Sequence, residues 1–145
     1  MPFSNTLISK NMKNKFKWGI IGTGGIANAF ADDLQRLDNH MVESVLSRDM
    51  KTAKKFSSNY KTCKPFDKEK LFFKNKNIDA IYIATPNTLH AKQSIESLKH
   101  RIPVLCEKPF AMNLKETEQM VHASIKNNTA LLEGMWMRYL PHVEF

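Results

Sequence analysis

The sequence predicts an α/β fold in which helices cover both faces of a doubly wound, parallel sheet. Short apolar runs alternate with helical patterns along most of the chain. The run over 78–84 is strongly apolar, as expected of a strand buried on both faces. A glycine-rich turn, from Gly22 to Gly25, follows the first apolar run and leads into the first helical pattern. Strands that alternate with helices in this way form a parallel sheet.

The predicted strands are short runs of apolar and β-branched residues that end at polar or glycine-rich positions. The run over 60–63 is the least regular of them. The strands are predicted at 17–21, 41–46, 60–63, 78–84, 103–106 and 130–133.

The predicted helices have apolar residues at helical spacing or a polar residue that can cap the first turn. In the first helix, apolar residues recur every three or four positions from Ile26 to Leu37, which predicts one buried face. Asp49 and Asn87 are predicted N-caps, because their side-chain oxygens can accept hydrogen bonds from N–H groups of the first turn. The helices are predicted at 25–37, 50–58, 67–74, 88–99 and 114–126.

The length and composition are those of one globular domain. The chain has 145 residues, of which 42% are hydrophobic and 25% charged. No apolar run approaches the ~20 residues that a membrane-spanning helix needs. The first 14 residues are polar and contain no hydrophobic signal region. We therefore expect a flexible arm at 1–15, a cytoplasmic location and no membrane partner.

The cysteines and the charge argue against other classes of protein. Cys63 and Cys106 lack the spacing of a metal site or a disulfide framework, so no metal is expected. The net charge is +8, but most of the cations are lysines spread along the chain, such as Lys51, Lys54 and Lys55. Scattered lysines are typical of solvated helix faces, and we expect no nucleic-acid partner.

The motif Gly22-x-Gly24-x-x-Ala27 predicts a dinucleotide-binding turn at the end of the first strand. Gly22 would allow the tight turn, and Gly24 would let the backbone approach the phosphates. Ala27 would let the helix pack closely on the strand. The free N–H groups and the positive dipole at the helix start favour a pyrophosphate there.

Ser47 and Arg48 follow the second strand and predict a preference for NADP over NAD. NAD sites usually place Asp or Glu at this strand end to hold the ribose hydroxyls. A hydroxyl and a guanidinium suit a 2′-phosphate, because arginine offers a two-pronged donor to phosphate oxygens. Glu43 lies too early in the strand to reach this edge. Alternatively, Arg48 is an ordinary surface arginine.

A doubly wound sheet with strand order 3-2-1-4-5-6 binds ligands at the carboxyl ends of its strands. Besides the two groups above, Thr85-Pro86-Asn87 and Glu107-Lys108 follow predicted strand ends at this edge. Asn87 is a helix cap, a cofactor contact or both. His90 is either a ligand-facing imidazole or a structural hydrogen-bonding group.

Lys108 is the predicted catalytic residue. It follows the fifth strand, where a lysine would stand near a bound nicotinamide. Its ammonium can donate a hydrogen bond to a substrate hydroxyl or carbonyl oxygen and can stabilise the negative charge that develops there during hydride transfer. The alternative is a lysine paired with Glu107 in a surface loop.

Together these motifs resemble the glucose–fructose oxidoreductase, inositol dehydrogenase and rhizopine-catabolism (Gfo/Idh/MocA) family. The motifs are WGIIGTG at 18–24, SRD at 47–49, ATPN at 84–87 and CEKP at 106–109. Residues 133–141 resemble the dihydrodiol dehydrogenase branch, where a Trp and an Arg occupy the positions of Trp136 and Arg138. The resemblance implies a Rossmann fold, with Lys108 as the catalytic or substrate-orienting residue. The predicted cofactor contacts are Gly22, Thr23, Gly24, Gly25, Ile26, Ser47, Arg48, Thr85, Pro86, Asn87, His90, Glu107, Lys108, Trp136 and Arg138.

Family members continue into a second, larger α/β domain that supplies most of the substrate pocket and the usual dimer face. We therefore expect a dinucleotide-binding domain at 16–134, with 135–145 leading towards the substrate domain that this chain lacks. The implied function is an NADP-dependent oxidoreductase of sugars or of cyclic or trans-diols, represented by its nucleotide-binding part. A small-molecule substrate and homodimerisation or other self-association are implied too. The alternatives are a non-catalytic NAD(P)-binding module and a regulatory protein.

Overall fold

A six-stranded parallel sheet forms the centre of the protein in the computed structural model, which describes residues 15–141 and 143. The strand order is β3-β2-β1-β4-β5-β6, and every neighbouring pair is parallel. The predicted fold class and strand order are confirmed. The strands are β1 (Phe16–Ile21), β2 (His40–Leu46), β3 (Lys64–Phe66), β4 (Ala80–Ile83), β5 (Val104–Glu107) and β6 (Leu131–Gly134).

Five α-helices and one short 3₁₀ turn connect the strands in the described part of the chain, and a second 3₁₀ turn follows β6. Asp49 accepts a hydrogen bond from the Thr52 N–H before the second helix, which confirms its predicted role as a cap. The helices are α1 (Gly25–Gln35), α2 (Met50–Ser57), α3 (Glu69–Phe72), α4 (His90–Lys99) and α5 (Leu114–Asn127). The 3₁₀ turns are Asn87–Leu89 and Trp136–Tyr139.

Each face of the sheet has its own apolar core. One core contains the buried side chains of Phe72, Leu98 and Met120, packed with residues of β4 and β5. The other contains Ile20 and Val45, packed with residues of α1 and α2. Burial on both faces explains why β4, at the centre of the sheet, consists of apolar and aromatic residues.

The buried face of α1 consists mainly of small residues. Ala27, Ala31 and Leu34 face the sheet, whereas Ile26 is 52% exposed. Leu37 lies beyond the end of α1 at Gln35 and is 47% exposed. The prediction that Ile26 and Leu37 belong to the buried face is therefore wrong. Alanine side chains let the helix lie close to the sheet, so the contact stripe follows the alanines instead of the bulkier residues beside them.

The prediction of a third strand at 60–63 is also wrong, because β3 starts at Lys64. Residues 60–63 form a turn in which the Cys63 N–H donates to the Tyr60 carbonyl oxygen at 3.1 Å. The Tyr60 ring is buried against Phe56 of α2, with 5.0 Å between ring centroids. A buried tyrosine next to a helix can therefore be mistaken for a strand residue.

The predicted cap at Asn87 is not formed either. Asn87 starts a 3₁₀ turn, and neither this turn nor α4 has a side-chain cap. The Leu89 N–H donates instead to the Pro86 carbonyl oxygen at 2.9 Å. The tighter turn therefore satisfies a backbone group that a capping side chain would otherwise serve.

Two regions named in the sequence predictions lie outside the described residues. They are the arm at 1–15, apart from Lys15, and His142, Glu144 and Phe145 of the segment at 135–145. Within the described residues, no helix combines the length and the apolar character needed to cross a bilayer. No group of three or more His, Cys, Asp or Glu side chains in this part of the chain is arranged to hold a metal ion.

Candidate functional site

A cavity of about 680 Å³ lies at the carboxyl edge of the sheet, where β1, β2 and β4 end. Backbone hydrogen bonds keep these strand ends in register: the Gly22 N–H donates to Leu46 and the Ala84 N–H to Ile21, both at 2.9 Å. The structure therefore brings three of the four predicted strand-end groups into one site. The predicted contacts that line the cavity are Gly22, Thr23, Gly24, Ser47, Arg48, Thr85 and Pro86.

The turn between β1 and α1 depends on the absence of a side chain at Gly22. Its φ angle is +111°, a conformation that residues with a Cβ rarely adopt. A Cβ at Gly22 would lie 2.6 Å from the Ala84 carbonyl oxygen, which is too close for any other residue. At Gly24, a Cβ would meet no heavy atom within 4 Å, so this stretch of backbone is open to an approaching phosphate.

The first turn of α1 offers N–H donors that no side chain caps. Gly24 is the N-cap residue and forms no side-chain hydrogen bond. The Asn28 amide donates to the carbonyl oxygens of Thr23 and Gly24 at 3.2 and 2.8 Å, so it occupies acceptors of the turn and leaves the donors free. An anion at this helix start would satisfy those donors. The turn and the helix start together fit the pyrophosphate of a dinucleotide.

The end of β2 presents Ser47 and Arg48 to the cavity. The Ser47 hydroxyl lies 3.4 Å from that of Thr23, and Arg48 is exposed. The next residue, Asp49, accepts hydrogen bonds from the backbone N–H and the hydroxyl of Thr52 at 2.8 Å each. These hydrogen bonds, with the backbone one foremost, hold the pKa of Asp49 below its usual value. Asp49 therefore serves α2 as a cap, and its carboxylate is already engaged.

Glu43, the acidic residue of β2, is used inside the protein. It is 5% exposed and lies in the middle of the strand, short of the carboxyl edge. Its carboxylate accepts hydrogen bonds from the Lys64 ammonium at 2.8 Å and from the Asn75 amide at 3.3 Å. A buried carboxylate held in this way does not serve a ribose at the carboxyl edge.

Several lining residues were missed by the sequence reasoning. Asp67 follows the end of β3, which the sequence places too early, so its position at the edge is hidden. Lys92 and Gln93 lie in the first turn of α4, and the Gln93 side-chain oxygen accepts from the Thr85 hydroxyl at 2.5 Å. Lys92 and Gln93 lie three and four residues after Leu89, a spacing that places residues on the same face of a helix. This spacing could have predicted that they line the cavity. The missed polar lining residues are Thr52, Asp67, Glu69, Lys92 and Gln93.

Lys108 stands at the end of β5 on a backbone segment that two carboxylates hold. The Lys108 N–H donates to Glu107 Oε2 at 3.2 Å, and the Phe110 N–H donates to Glu133 Oε1 at 3.1 Å. Between them, the Lys108–Pro109 peptide bond is cis. Glu107 thus contacts the backbone of Lys108, while the lysine side chain is exposed. The ion pairs of the described residues do not include one between the side chains of Glu107 and Lys108.

His90 connects the Lys108 segment to the end of β4. It is 1% exposed, and its Nδ1 and Nε2 atoms lie 2.9 Å from the carbonyl oxygens of Pro109 and Thr85, respectively. Both ring nitrogens therefore face backbone acceptors. This geometry favours the structural alternative for His90 and adds a third anchor to the segment that carries Lys108.

The remaining predicted contacts do not line the cavity. Gly25 and Ile26 begin α1, and Asn87 lies in the 3₁₀ turn after β4. His90 begins α4, and Glu107 is the last residue of β5. Lys108, Trp136 and Arg138 follow β5 and β6, which continue the same sheet edge beyond β4. The predicted contacts outside the cavity are Gly25, Ile26, Asn87, His90, Glu107, Lys108, Trp136 and Arg138.

The two cysteines are not poised for nucleophilic chemistry. Burial raises the pKa of Cys63 and of Cys106 to about 12 each. Both thiols therefore stay protonated near neutral pH, and the protonated form is a poor nucleophile.

Comparison with known proteins identifies a family and several relatives. The family described as "Oxidoreductase family, NAD-binding Rossmann fold" (GFO_IDH_MocA) matches residues 16–135. The NADP(+) scyllo-inositol 2-dehydrogenase IolU of Bacillus subtilis is 35% identical over 126 residues, covering 87% of this chain and 38% of that relative. A trans-1,2-dihydrobenzene-1,2-diol dehydrogenase of Xenopus laevis is 35% identical over 130 residues, covering 88% and 39%. The chain therefore spans about two fifths of the length of these relatives.

Solved structures share the same arrangement of strands and helices. The WlbA dehydrogenase of Chromobacterium violaceum, in complex with NADH and UDP-GlcNAcA, matches with a TM-score of 0.82 and 25% identity, covering 86% of this chain and 36% of that chain. KijD10, a 3-ketoreductase of Actinomadura kijaniata in complex with NADP and TDP-benzene, matches with a TM-score of 0.82 and 25% identity, covering 89% and 40%. The parallel sheet, the glycine turn and the family match lead to one conclusion: this chain belongs to the Gfo/Idh/MocA oxidoreductase family and contains its NAD-binding Rossmann fold.

Proposed function

We propose that this chain is the nucleotide-binding part of an NADP-dependent oxidoreductase of sugars or of cyclic or trans-diols. The observation that carries the cofactor preference is the end of β2, where Ser47 and Arg48 face the cavity while Asp49 is engaged by Thr52. A guanidinium beside a hydroxyl is suited to a 2′-phosphate. The relatives named above as inositol and diol dehydrogenases support the substrate class.

In this proposal, different groups of residues bind different parts of the cofactor. The turn at 22–24 and the start of α1 hold the pyrophosphate, and Ser47 with Arg48 holds the 2′-phosphate. Thr85 and Pro86 line the same cavity at the end of β4. When bound, the nicotinamide accepts or supplies the hydride. The nicotinamide half would lie near the ends of β5 and β6, where Glu107, Lys108, Trp136 and Arg138 are found.

Lys108 acts on the substrate in this proposal. Its exposed ammonium donates a hydrogen bond to the reacting oxygen and holds the proton that this oxygen gains or loses. The anchors at Glu107, Glu133 and His90 keep the backbone beneath it in place. Residues 135–145 lead towards a substrate domain, which the greater length of the relatives suggests.

Replacing Arg48 with alanine tests the cofactor preference. We expect Arg48→Ala to weaken NADPH binding by roughly 1.5–3 kcal/mol, the range for hydrogen bonds to charged groups, and to change NADH binding much less. Fluorescence titration with both cofactors measures the two affinities. The control is Arg36→Ala, which removes an exposed arginine that pairs with Asp33 on α1, away from the cavity. An equal loss for both cofactors would show that Arg48 does not recognise the 2′-phosphate.

A second test concerns turnover. Cofactor binding by this chain without turnover of any diol or sugar would favour the alternative of a non-catalytic NAD(P)-binding module for this chain.

We also propose that this chain self-associates, with a dimer as the main species. Trp136 is 60% and Tyr139 79% exposed after β6, and Leu132 of this edge strand is 54% exposed. Exposed apolar side chains beside an open sheet edge favour association. Sedimentation should show the mass rising towards that of a dimer with concentration, and replacing Trp136 and Tyr139 with serine should shift it back. A monomer at the highest concentration of the unmodified chain would contradict this proposal.

A further inference from the structure

The carboxylate of Glu107 is held by a buried phenol. The Tyr82 hydroxyl donates to Glu107 Oε1 at 2.5 Å, while Glu107 Oε2 accepts from the Lys108 N–H at 3.2 Å. Each carboxylate oxygen therefore has one fixed donor. A carboxylate can accept about four hydrogen bonds, so Glu107 keeps free acceptor positions with a defined orientation.

Tyr82 itself has little freedom to move. It is 2% exposed, and its ring stacks on Phe30 of α1 with a centroid distance of 3.9 Å and an interplanar angle of 22°. Burial, together with the hydrogen bond to Glu107, raises the pKa of the Tyr82 phenol above its ordinary value. The phenol therefore stays protonated and remains a donor over the physiological pH range.

The neighbouring strand β6 leaves room for the Glu107 carboxylate because it has a glycine at position 134. A Cβ at Gly134 of β6 would lie 3.2 Å from Glu107 Oε1 and 3.2 Å from the Cys106 carbonyl oxygen. Glu107 thus fits between a donor on β4 and a position without a side chain on β6. It is half-buried at the carboxyl edge, next to the exposed Lys108.

We propose that Tyr82 is a positioning residue for the nicotinamide half of the cofactor, acting through the carboxylate of Glu107. This inference rests on the proposed function, in which the nicotinamide lies at the ends of β5 and β6. Glu107 accepts hydrogen bonds from the hydroxyl or amide groups of that half, and Tyr82 sets the direction in which its free acceptors point. Tyr82 does not contact the adenosine half, which the cavity at β1, β2 and β4 holds.

A second tyrosine provides a matched control. The Tyr60 hydroxyl donates to Asp32 Oδ1 at 3.0 Å, and Tyr60 is 5% exposed in the same apolar core as Tyr82. Tyr60→Phe and Tyr82→Phe each remove one buried phenol that donates to a carboxylate. Only the carboxylate that Tyr82 holds lies at the edge where the nicotinamide is proposed to bind.

The experiment measures the binding of NADPH and of 2′,5′-ADP, its adenosine half, to the unmodified chain and to both variants by calorimetry. We expect Tyr82→Phe to weaken NADPH binding about tenfold and to leave 2′,5′-ADP binding within about twofold. Tyr60→Phe should leave both affinities within about twofold. Both variants should lower Tm by a similar amount, a few degrees, because each loses one buried hydrogen bond.

The outcomes separate this inference from the proposed function. Binding of neither NADPH nor NADH by the unmodified chain would overturn both. Normal NADPH binding by Tyr82→Phe, or an equal loss for both ligands, would overturn the role of Tyr82 and leave the proposed function standing. If Tyr82→Phe does not fold, Gly134→Ala tests the same carboxylate from the side of β6. The same selective loss of NADPH binding is expected, and unchanged NADPH binding in that variant would overturn the inference.

Discussion

Replacing Lys108 with methionine is expected to leave NADPH binding unchanged and to lower turnover by roughly 10²–10⁴-fold, the usual contribution of a positioned acid or base. The side chain is exposed at the end of β5, outside the cavity that is proposed to hold the adenosine half and the pyrophosphate. Methionine keeps most of the length and removes the donor. The loss should therefore fall on the chemical step and not on cofactor affinity.

The measurement requires a protein with a substrate domain. It is made on a full-length protein that contains this domain, or on a chimera in which residues 16–135 replace the matching part of a relative. Lys126→Met, which removes an exposed lysine from α5, is the control for the loss of one positive charge. Near-normal turnover by Lys108→Met would remove this lysine from the mechanism and leave the domain only its role in nucleotide binding.

Replacing Gly22 with alanine is expected to destabilise the fold by about 2–5 kcal/mol. Backbone strain at a positive φ and overpacking each cost roughly 1–3 kcal/mol, and this position combines a φ of +111° with a Cβ placed 2.6 Å from the Ala84 carbonyl oxygen. The neighbouring atom is backbone at the end of β4, so it cannot move aside cheaply. Denaturant unfolding, monitored by circular dichroism, measures the free energy of unfolding.

Gly25→Ala is the matched control for that experiment. Gly25 begins α1, and a Cβ there would meet no heavy atom within 4 Å. Alanine is favoured over glycine in helices by up to about 1 kcal/mol, so this variant should be as stable as the unmodified chain or slightly more stable. If Gly22→Ala were equally stable, the close approach of β1 and β4 would not depend on the glycine.

Much of the fold could be predicted from the sequence because the patterns that indicate it are local. The glycine turn, the apolar run at 78–84 and the Asp49 cap each depend on neighbours along the chain, and all three are found in the structure.

The errors in the predicted fold have a different origin. Residues 60–63 form a turn instead of a strand, and Tyr60 packs on Phe56 of α2. In α1, the alanines pack on the sheet, so a bulkier residue predicted to be buried, Ile26, is exposed instead.

The candidate site also has a part that could be predicted from the sequence and a part that could not. Its strand-end residues follow from the rule that ligands bind at the carboxyl edge of a parallel sheet. The link between Tyr82 and Glu107 joins residues 25 positions apart on neighbouring strands, and that between Glu133 and the Phe110 N–H joins residues 23 apart. Such pairs depend on strand register, which one sequence does not reveal. Asp67 was missed for a simpler reason, because β3 begins later than predicted.

The three anchors of the 108–110 backbone have a consequence for how such enzymes diversify. Glu107, His90 and Glu133 all belong to the Rossmann domain, so the place of Lys108 is built without any contribution from a second domain. In the proposed enzyme, placing the lysine and selecting the substrate are therefore separate tasks, performed by separate parts of the protein. Exchanging the substrate domain would change which hydroxyl or carbonyl group meets the lysine, while the lysine would keep its place on the sheet.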